Sequence, residues 1–122
     1  MAKSPLISVV DDDESVRESI ESLIRSVGFS AQTFSSAEEF LQNGPIEKTA
    51  CLILDVRMPR MSGLELQRHL TAAACQIPIV FITADGDQET RARALKDGAV
   101  DFLSKPFSEE ALLKAVNTAL QR

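Results

Sequence analysis

Residues 6–28 read LISVVDDDESVRESIESLIRSVG, and this stretch decides the fold. A short apolar run meets three consecutive acids. Beyond them Val16, Ile20, Leu23, Ile24 and Val27 recur at helical spacing until Gly28 supplies a stop. An apolar run followed by an amphipathic helix is one βα unit, and the rest of the chain repeats the alternation without repeating the sequence. Ser30–Phe34 is a second, more polar strand. Ser36 opens a short helix running through Leu41, with Glu39 placed to close a capping box, and Gly44-Pro45 ends it. Residues 51–55 (CLILD) form a third strand, apolar up to its final carboxylate, and residues 58–63 a turn-rich loop. Leu66, Leu70 and Ala73 give the next helix its inner stripe.

Pro78 introduces a fourth strand, Ile79–Thr83. A loop over residues 85–87 precedes a helix over about residues 89–96, closed by Gly98. Residues 100–103 make the fifth strand. Ser108 N-caps a last helix with Leu112, Leu113, Val116 and Leu120 on its inner face.

Five βα units imply an α/β fold, a parallel sheet with helices on both faces. Strands one, three and four are apolar on both faces, as interior parallel strands must be. Strands two and five carry Ser30, Gln32, Thr33 and Asp101, as edges can. Two polar edges around three apolar centres suit a doubly wound, flavodoxin-like sheet of order 2-1-3-4-5. The strand order then reverses between strands one and three, where such sheets bind ligands at their carboxyl ends.

Composition narrows the field. The chain has 122 residues, 44% hydrophobic and 25% charged, room for one domain spanning 1–122 and a core of its own. Eighteen acidic residues against thirteen basic give a net charge of −5, which argues against direct nucleic-acid contact by this chain. No apolar run approaches the roughly 20 residues of a membrane span, and the N-terminus MAKSPLISVVDDD is not that of a signal peptide. Cys51 and Cys75 form no CxxC and read as two buried free thiols of a reduced, cytoplasmic protein. His69, the single histidine, sits on a helix without metal-type partners and reads as a surface residue.

The carboxyl ends of the strands carry the chemistry: Asp11 and Asp12 after strand one, Asp55 after strand three, Thr83 after strand four, and Lys105 beyond strand five. Carboxylates meeting in one crevice repel each other unless a cation lies among them. An all-oxygen set without His or Cys suits a hard ion such as Mg²⁺, which is completed by phosphate oxygens. Lys105 is a point charge suited to a phosphate, and a carboxylate can itself attack phosphorus. Spacing alone therefore points to a Mg²⁺-dependent phosphoryl site. Asp13 reads instead as a solvated helix N-terminus.

The segments VVDDD at residues 9–13, LILDVRMPRMSG at 52–63, FITA at 81–84 and DFLSKPF at 101–107 closely resemble the receiver domain of two-component response regulators. Each is weak singly. Four in this order, over essentially the whole chain, are specific. The resemblance implies that Asp55 accepts a phosphoryl group from a histidine kinase or a phosphotransfer protein. It makes Asp12, Asp55 and the backbone carbonyl of Arg57 ligands to Mg²⁺, for which Mn²⁺ can substitute, with Asp11 acting largely through a bound water. Thr83 and Ala84 would meet the phosphoryl group, Lys105 would pair with it, and Lys105-Pro106 would be a cis peptide. Phe102 fills the aromatic switch position. Arg57 and Asp85 stand where the family tunes the lifetime of the phosphoryl group.

The resemblance also implies a regulator that catalyses only its own phosphorylation and dephosphorylation. Such a domain would switch its fourth-helix, fifth-strand and fifth-helix face, forming a homodimer that controls an effector. The phrasing SSAEEFL, DVRMPRMSG and GAVDFLSKPF resembles receivers joined to helix-turn-helix domains, so the expectation is the receiver half of a transcriptional regulator. A stand-alone regulator or phosphorelay intermediate is the alternative. A haloacid-dehalogenase-type phosphatase would carry a second Asp where this chain has Arg57. A nucleotide-binding flavodoxin-like module would want a Ser/Thr/Gly-rich loop where this one is acidic. A degenerate receiver would lack part of the set formed by Asp11, Asp12, Asp55, Thr83 and Lys105.

Overall fold

The strands β1 (Leu6–Val10), β2 (Ser30–Phe34), β3 (Thr49–Asp55), β4 (Ile79–Thr83) and β5 (Asp101–Ser104) alternate with helices α1 (Glu14–Ser26), α2 (Ala37–Asn43), α3 (Gly63–Ala72), α4 (Gln88–Lys96) and α5 (Glu109–Leu120). The structure is a computed structural model that describes residues 4–84 and 87–121. All strand pairs are parallel, in the order β2-β1-β3-β4-β5. The flavodoxin-like sheet expected from the polar edges is the one observed.

Strand side chains alternate between faces, so each interior strand feeds two cores. Ile7, Val9, Cys51, Ile53, Val80 and Ile82 pack against Ile20 and Ile24 of α1 and Leu112 and Val116 of α5. Val10, Leu52, Leu54, Phe81 and Phe102 face the other way, onto Phe40 of α2, Leu66 and Leu70 of α3 and Ala94 of α4. Burying each such large side chain contributes roughly 1.5–3 kcal/mol. A polar exception pins β1 to β3: Thr49 Oγ1 donates to the Pro45 carbonyl at 2.8 Å and accepts from Ser8 Oγ, also at 2.8 Å. At the open edge of β5 the Phe102 N–H donates to Asp101 Oδ1 and its carbonyl accepts from Arg91 Nη1, which covers unpaired strand groups.

Several local expectations are corrected. β3 starts at Thr49, two residues earlier than its apolar run, because Thr49 pairs with Leu6 across an irregularity in the ladder. A 3₁₀ turn at Ile46–Lys48 precedes it. β5 is shifted one residue, to Asp101–Ser104. Ala73 is the exposed C-cap of α3, and the buried positions of that helix are Gly63, Leu66, Gln67 and Leu70. In α5 the small Ala115 and Ala119 are buried, while Leu113 and Leu120 are half-buried at its flanks. Val27 is exposed, and Cys75 is only half-buried. The Ser36 hydroxyl does accept from the Glu39 N–H, but the Glu39 carboxylate returns to the N–H of Ser35 rather than Ser36. A complete capping box stands instead at Ser62 and Glu65.

Candidate phosphorylation site

Parallel pairing assembles the site. Val10 lies opposite Leu54, so the next residues, Asp11 just beyond β1 and Asp55 at the end of β3, come to lie side by side. Thr83 pairs with Ser104, and its carbonyl accepts the Lys105 N–H at 2.7 Å, which carries the ladder one step further. The Lys105-Pro106 peptide is cis.

The three aspartates after β1 have three fates. Asp11 is fully buried. Its Oδ1 accepts the Asp13 N–H at 2.8 Å, its Oδ2 accepts Lys105 Nζ at 2.9 Å, and its carbonyl accepts Arg17 Nη1 at 2.7 Å. Asp12 is exposed at the mouth. Asp13 caps α1, accepting from the N–H groups of Ser15 and Val16, and the Ser15 hydroxyl bond leads the effects that hold its carboxyl below the usual range.

Asp55 is buried, with 4% of its surface exposed. Its Oδ1 accepts a long hydrogen bond from the Arg57 N–H at 3.4 Å, and its Oδ2 lies 3.9 Å from Lys105 Nζ. Burial, then the neighbouring Asp11 charge, push this carboxyl up to about 7; Lys105 and the Arg57 N–H oppose the rise, and Asp12 adds to it. Oxygens of Asp11, Asp12 and Asp55 lie within 4.8 Å of one another. Among the described residues, Lys105 supplies the ammonium that pairs with Asp11 and Asp55 of these three carboxylates. The donor set is all oxygen, which fits a hard divalent cation and not a thiolate- or imidazole-seeking one.

Thr83 is fully buried at the end of β4, and Ala84 beyond it is exposed. Phe102 is 2% exposed, its ring 6.3 Å from that of Phe81. Arg57 is exposed, and Asp85 lies outside the described residues. His69 is exposed on α3.

Two contributors went unread in the sequence. Arg17 holds the β1–α1 turn through the Asp11 carbonyl, with no sequence signal beyond its place on the helix. Gly63 belongs to the quoted SG pair, and the structure supplies its reason: a Cβ there would stand 2.2 Å from the Asp55 carbonyl oxygen. Only glycine lets α3 begin against the backbone of Asp55, where the Gly63 N–H closes the loop onto the Val56 carbonyl at 2.9 Å.

The chain is similar to known proteins in sequence and fold. The model of the response regulator receiver domain matches residues 7–117. The response regulator protein TodT of Pseudomonas putida is 50% identical over 119 residues, covering 98% of this chain and 52% of its own. The solved response regulator StyR superposes with a TM-score of 0.90 at 54% identity, covering 97% of this chain and 60% of that one. The crystal structure of FixJ-N has a TM-score of 0.88 at 37% identity, covering 100% of this chain and 97% of its own. The chain spans about half the length of the curated relatives it matches.

Proposed function

The chain belongs to the response regulator receiver family, and from that premise we propose that Asp55 accepts a phosphoryl group from a histidine kinase or phosphotransfer protein in the cytoplasm. The observation that carries this is the placement of Lys105 Nζ 2.9 Å from Asp11 and 3.9 Å from Asp55, beside three converging carboxylates. In the transfer a carboxylate oxygen of Asp55 bonds to phosphorus as the phosphorus–nitrogen bond of a phosphohistidine breaks. The electron pair of that bond goes to the departing imidazole nitrogen, which takes a proton from solvent water. Asp11, Asp12, Asp55 and the Arg57 carbonyl would hold Mg²⁺ or Mn²⁺, which when bound neutralises charge on Asp55 and on the phosphoryl oxygens.

Lys105 is within reach of a new phosphoryl oxygen while still anchored to Asp11. Thr83 and the Ala84 N–H at the end of β4 are the groups that would meet the remaining oxygens. Phosphorylation draws the Thr83 hydroxyl toward the new charge and vacates space behind β4, into which Phe102 can turn. Arg57 and Asp85 are assigned to tuning the lifetime of the phosphoryl group.

The face formed by α4, β5 and α5 carries both signs of charge. Arg91 and Asp101 are engaged with the backbone of Phe102, and Arg93, Lys96, Asp97 and Glu109 are exposed beside them. Such a mixed surface can complement itself about a twofold axis, so the activated form is assigned a homodimer. The output is an effector, a transcriptional one by likeness to the relatives; a stand-alone regulator is the second reading.

The test is labelling by acetyl phosphate with Mg²⁺. A label on Asp55 that chelation blocks and Asp55→Asn abolishes is expected, and undiminished labelling of Asp55→Asn refutes the assignment. Sedimentation with and without beryllofluoride reads the switch, and an activated chain that stays monomeric rejects the homodimer. Thr83→Ala should take the label yet stay monomeric.

A further inference from the structure

Glu38 and Glu39 are neighbours in the first turn of α2, and the sequence singles out only Glu39, as a capping residue. The structure gives each its own partner. Glu39 turns back to the Ser35 N–H at 3.0 Å, just before its own helix. Glu38 reaches across 23 positions of sequence to the loop after β3. Its Oε2 accepts the Met61 N–H at 3.1 Å and lies 3.8 Å from Arg60 Nε. Its Oε1 is buried with no hydrogen-bond partner among the described residues.

The loop that Glu38 grips is strained and touches the phosphoacceptor. Arg60 has φ +64°, a left-handed conformation that a residue with a side chain keeps only where its surroundings enforce it. That conformation directs the following N–H, of Met61, toward α2. At the other end of the same loop the Arg57 N–H donates to Asp55 Oδ1, and Gly63 seats the loop's exit against the Asp55 backbone.

We propose that Glu38 is a positioning residue for the phosphorylation site, holding the loop after β3 in the conformation that sets Arg57 against the Asp55 carboxylate. The role rests on the phosphoacceptor reading of Asp55. Without Glu38, the turn at Arg60 loses the hydrogen bond to the Met61 N–H and the ion pair that hold it. The loop relaxes, and Asp55 loses the orientation in which it meets a cation and a phosphodonor.

The experiment is a calorimetric Mg²⁺ titration of the full chain, alongside initial rates of Asp55 labelling by acetyl phosphate and melting temperatures in chelator. Glu38→Ala should bind Mg²⁺ about tenfold more weakly, the scale seen when a partner behind a metal ligand is removed, and be labelled correspondingly more slowly. Glu38→Gln still accepts from the Met61 N–H and should stay near the parent. Glu38→Asp keeps the charge but not the reach, and should behave as the alanine variant does. Adding Arg60→Gly, which removes the conformational penalty, should restore part of the lost affinity. Parental Mg²⁺ affinity and labelling in Glu38→Asp, or equal impairment of Glu38→Gln and Glu38→Ala, overturns the proposal. If Glu38→Ala does not fold, the aspartate and glutamine variants decide. Asp12→Ala and Asp55→Asn are the controls: Mg²⁺ binding that survives the first, or labelling that survives the second, overturns the site reading itself. Controls that behave while Glu38→Asp matches the parent overturn only the positioning role.

Discussion

At the carboxyl end of the sheet, Asp11 and Asp55 are buried beside one another with a single ammonium between them, and Asp55 is pushed up to about 7. At the amino end, three helices finish in the same hydrogen-bonded turn, whose backbone exchanges are local, although the Ala94 carbonyl also accepts Gln67 Nε2 at 3.2 Å. After α1 the N–H groups of Gly28 and Phe29 go to the carbonyls of Arg25 and Ile24. After α3 those of Ala74 and Cys75 go to Thr71 and Leu70, and after α4 those of Gly98 and Ala99 go to Leu95 and Ala94. One end satisfies the backbone groups of its helix turns as it folds. The other concentrates charge of one sign that folding alone does not neutralise. That contrast supports the proposal that the carboxyl end is the end that works, since local rules are most often broken where a ligand completes a structure.

The largest effect is expected from Gly63→Ala, which forces a Cβ against the Asp55 carbonyl oxygen, where no flexible side chain can yield. A loss of roughly 3 kcal/mol or more is expected on the scale of severe overpacking, read by urea denaturation, together with loss of Asp55 labelling. A folded, parental Gly63→Ala would show that the two backbones need not touch.

The second is a pH effect. Asp55 is raised in the native state from its ordinary 3.8 to about 7, so between those values the native state holds a proton that the unfolded chain has released. Stability in chelator should therefore fall as pH rises from about 4 to about 7, with a limiting slope of roughly 1.4 kcal/mol per pH unit. Asp55→Asn should flatten this profile and be more stable than the parent above pH 7. Mg²⁺ should stabilise the parent there, since it binds only the native cluster. A metal-free parent whose stability does not decline over that window would mean that the carboxyl end carries no electrostatic penalty.

The amino end offers smaller effects of opposite sign. Ala74 occupies, at φ +60°, the turn position that Gly28 occupies at +94°. Ala74→Gly should stabilise by about 0.5–1 kcal/mol, and Gly28→Ala should destabilise by about 1 kcal/mol, because a Cβ at Gly28 meets no atom within 4 Å and only the backbone resists. Thermal denaturation reads both, and neither should alter Asp55 labelling. A change in labelling would show that the two ends communicate.

Smallest is a chemical difference without a stability effect. Burial pushes the Cys51 thiol up to about 12, whereas Cys75 is half-buried beside the α3 turn. Iodoacetamide at pH 8 should add one label, on Cys75, found by peptide mass mapping. Labelling of Cys51 in the native protein would contradict the packing of β3.

Read from its residues alone, the chain already carried its strands and helices, the strand order and the five polar residues at the strand ends. Those features rest on interactions within about four residues or on a periodicity of two or 3.6, which a linear sequence displays directly. Boundaries slipped where pairing partners lie far away, as with Thr49 against Leu6. Side-chain size at α5 was settled by how close the helix sits, which is why Ala115 and Ala119 are buried where larger leucines were expected.

The tertiary structure alone decided which of Asp11 and Asp12 is buried. Asp11 and Asp12 are chemically identical neighbours, yet one is sealed against Lys105, 94 positions away, and the other faces solvent. It also decided that Glu38 leaves its own helix for Met61 while Glu39 stays, and that α3 can start only on a glycine. Desolvation, charge proximity and close backbone approach depend on distances through space, and no spacing along a chain encodes them until the sheet has brought its strand ends together.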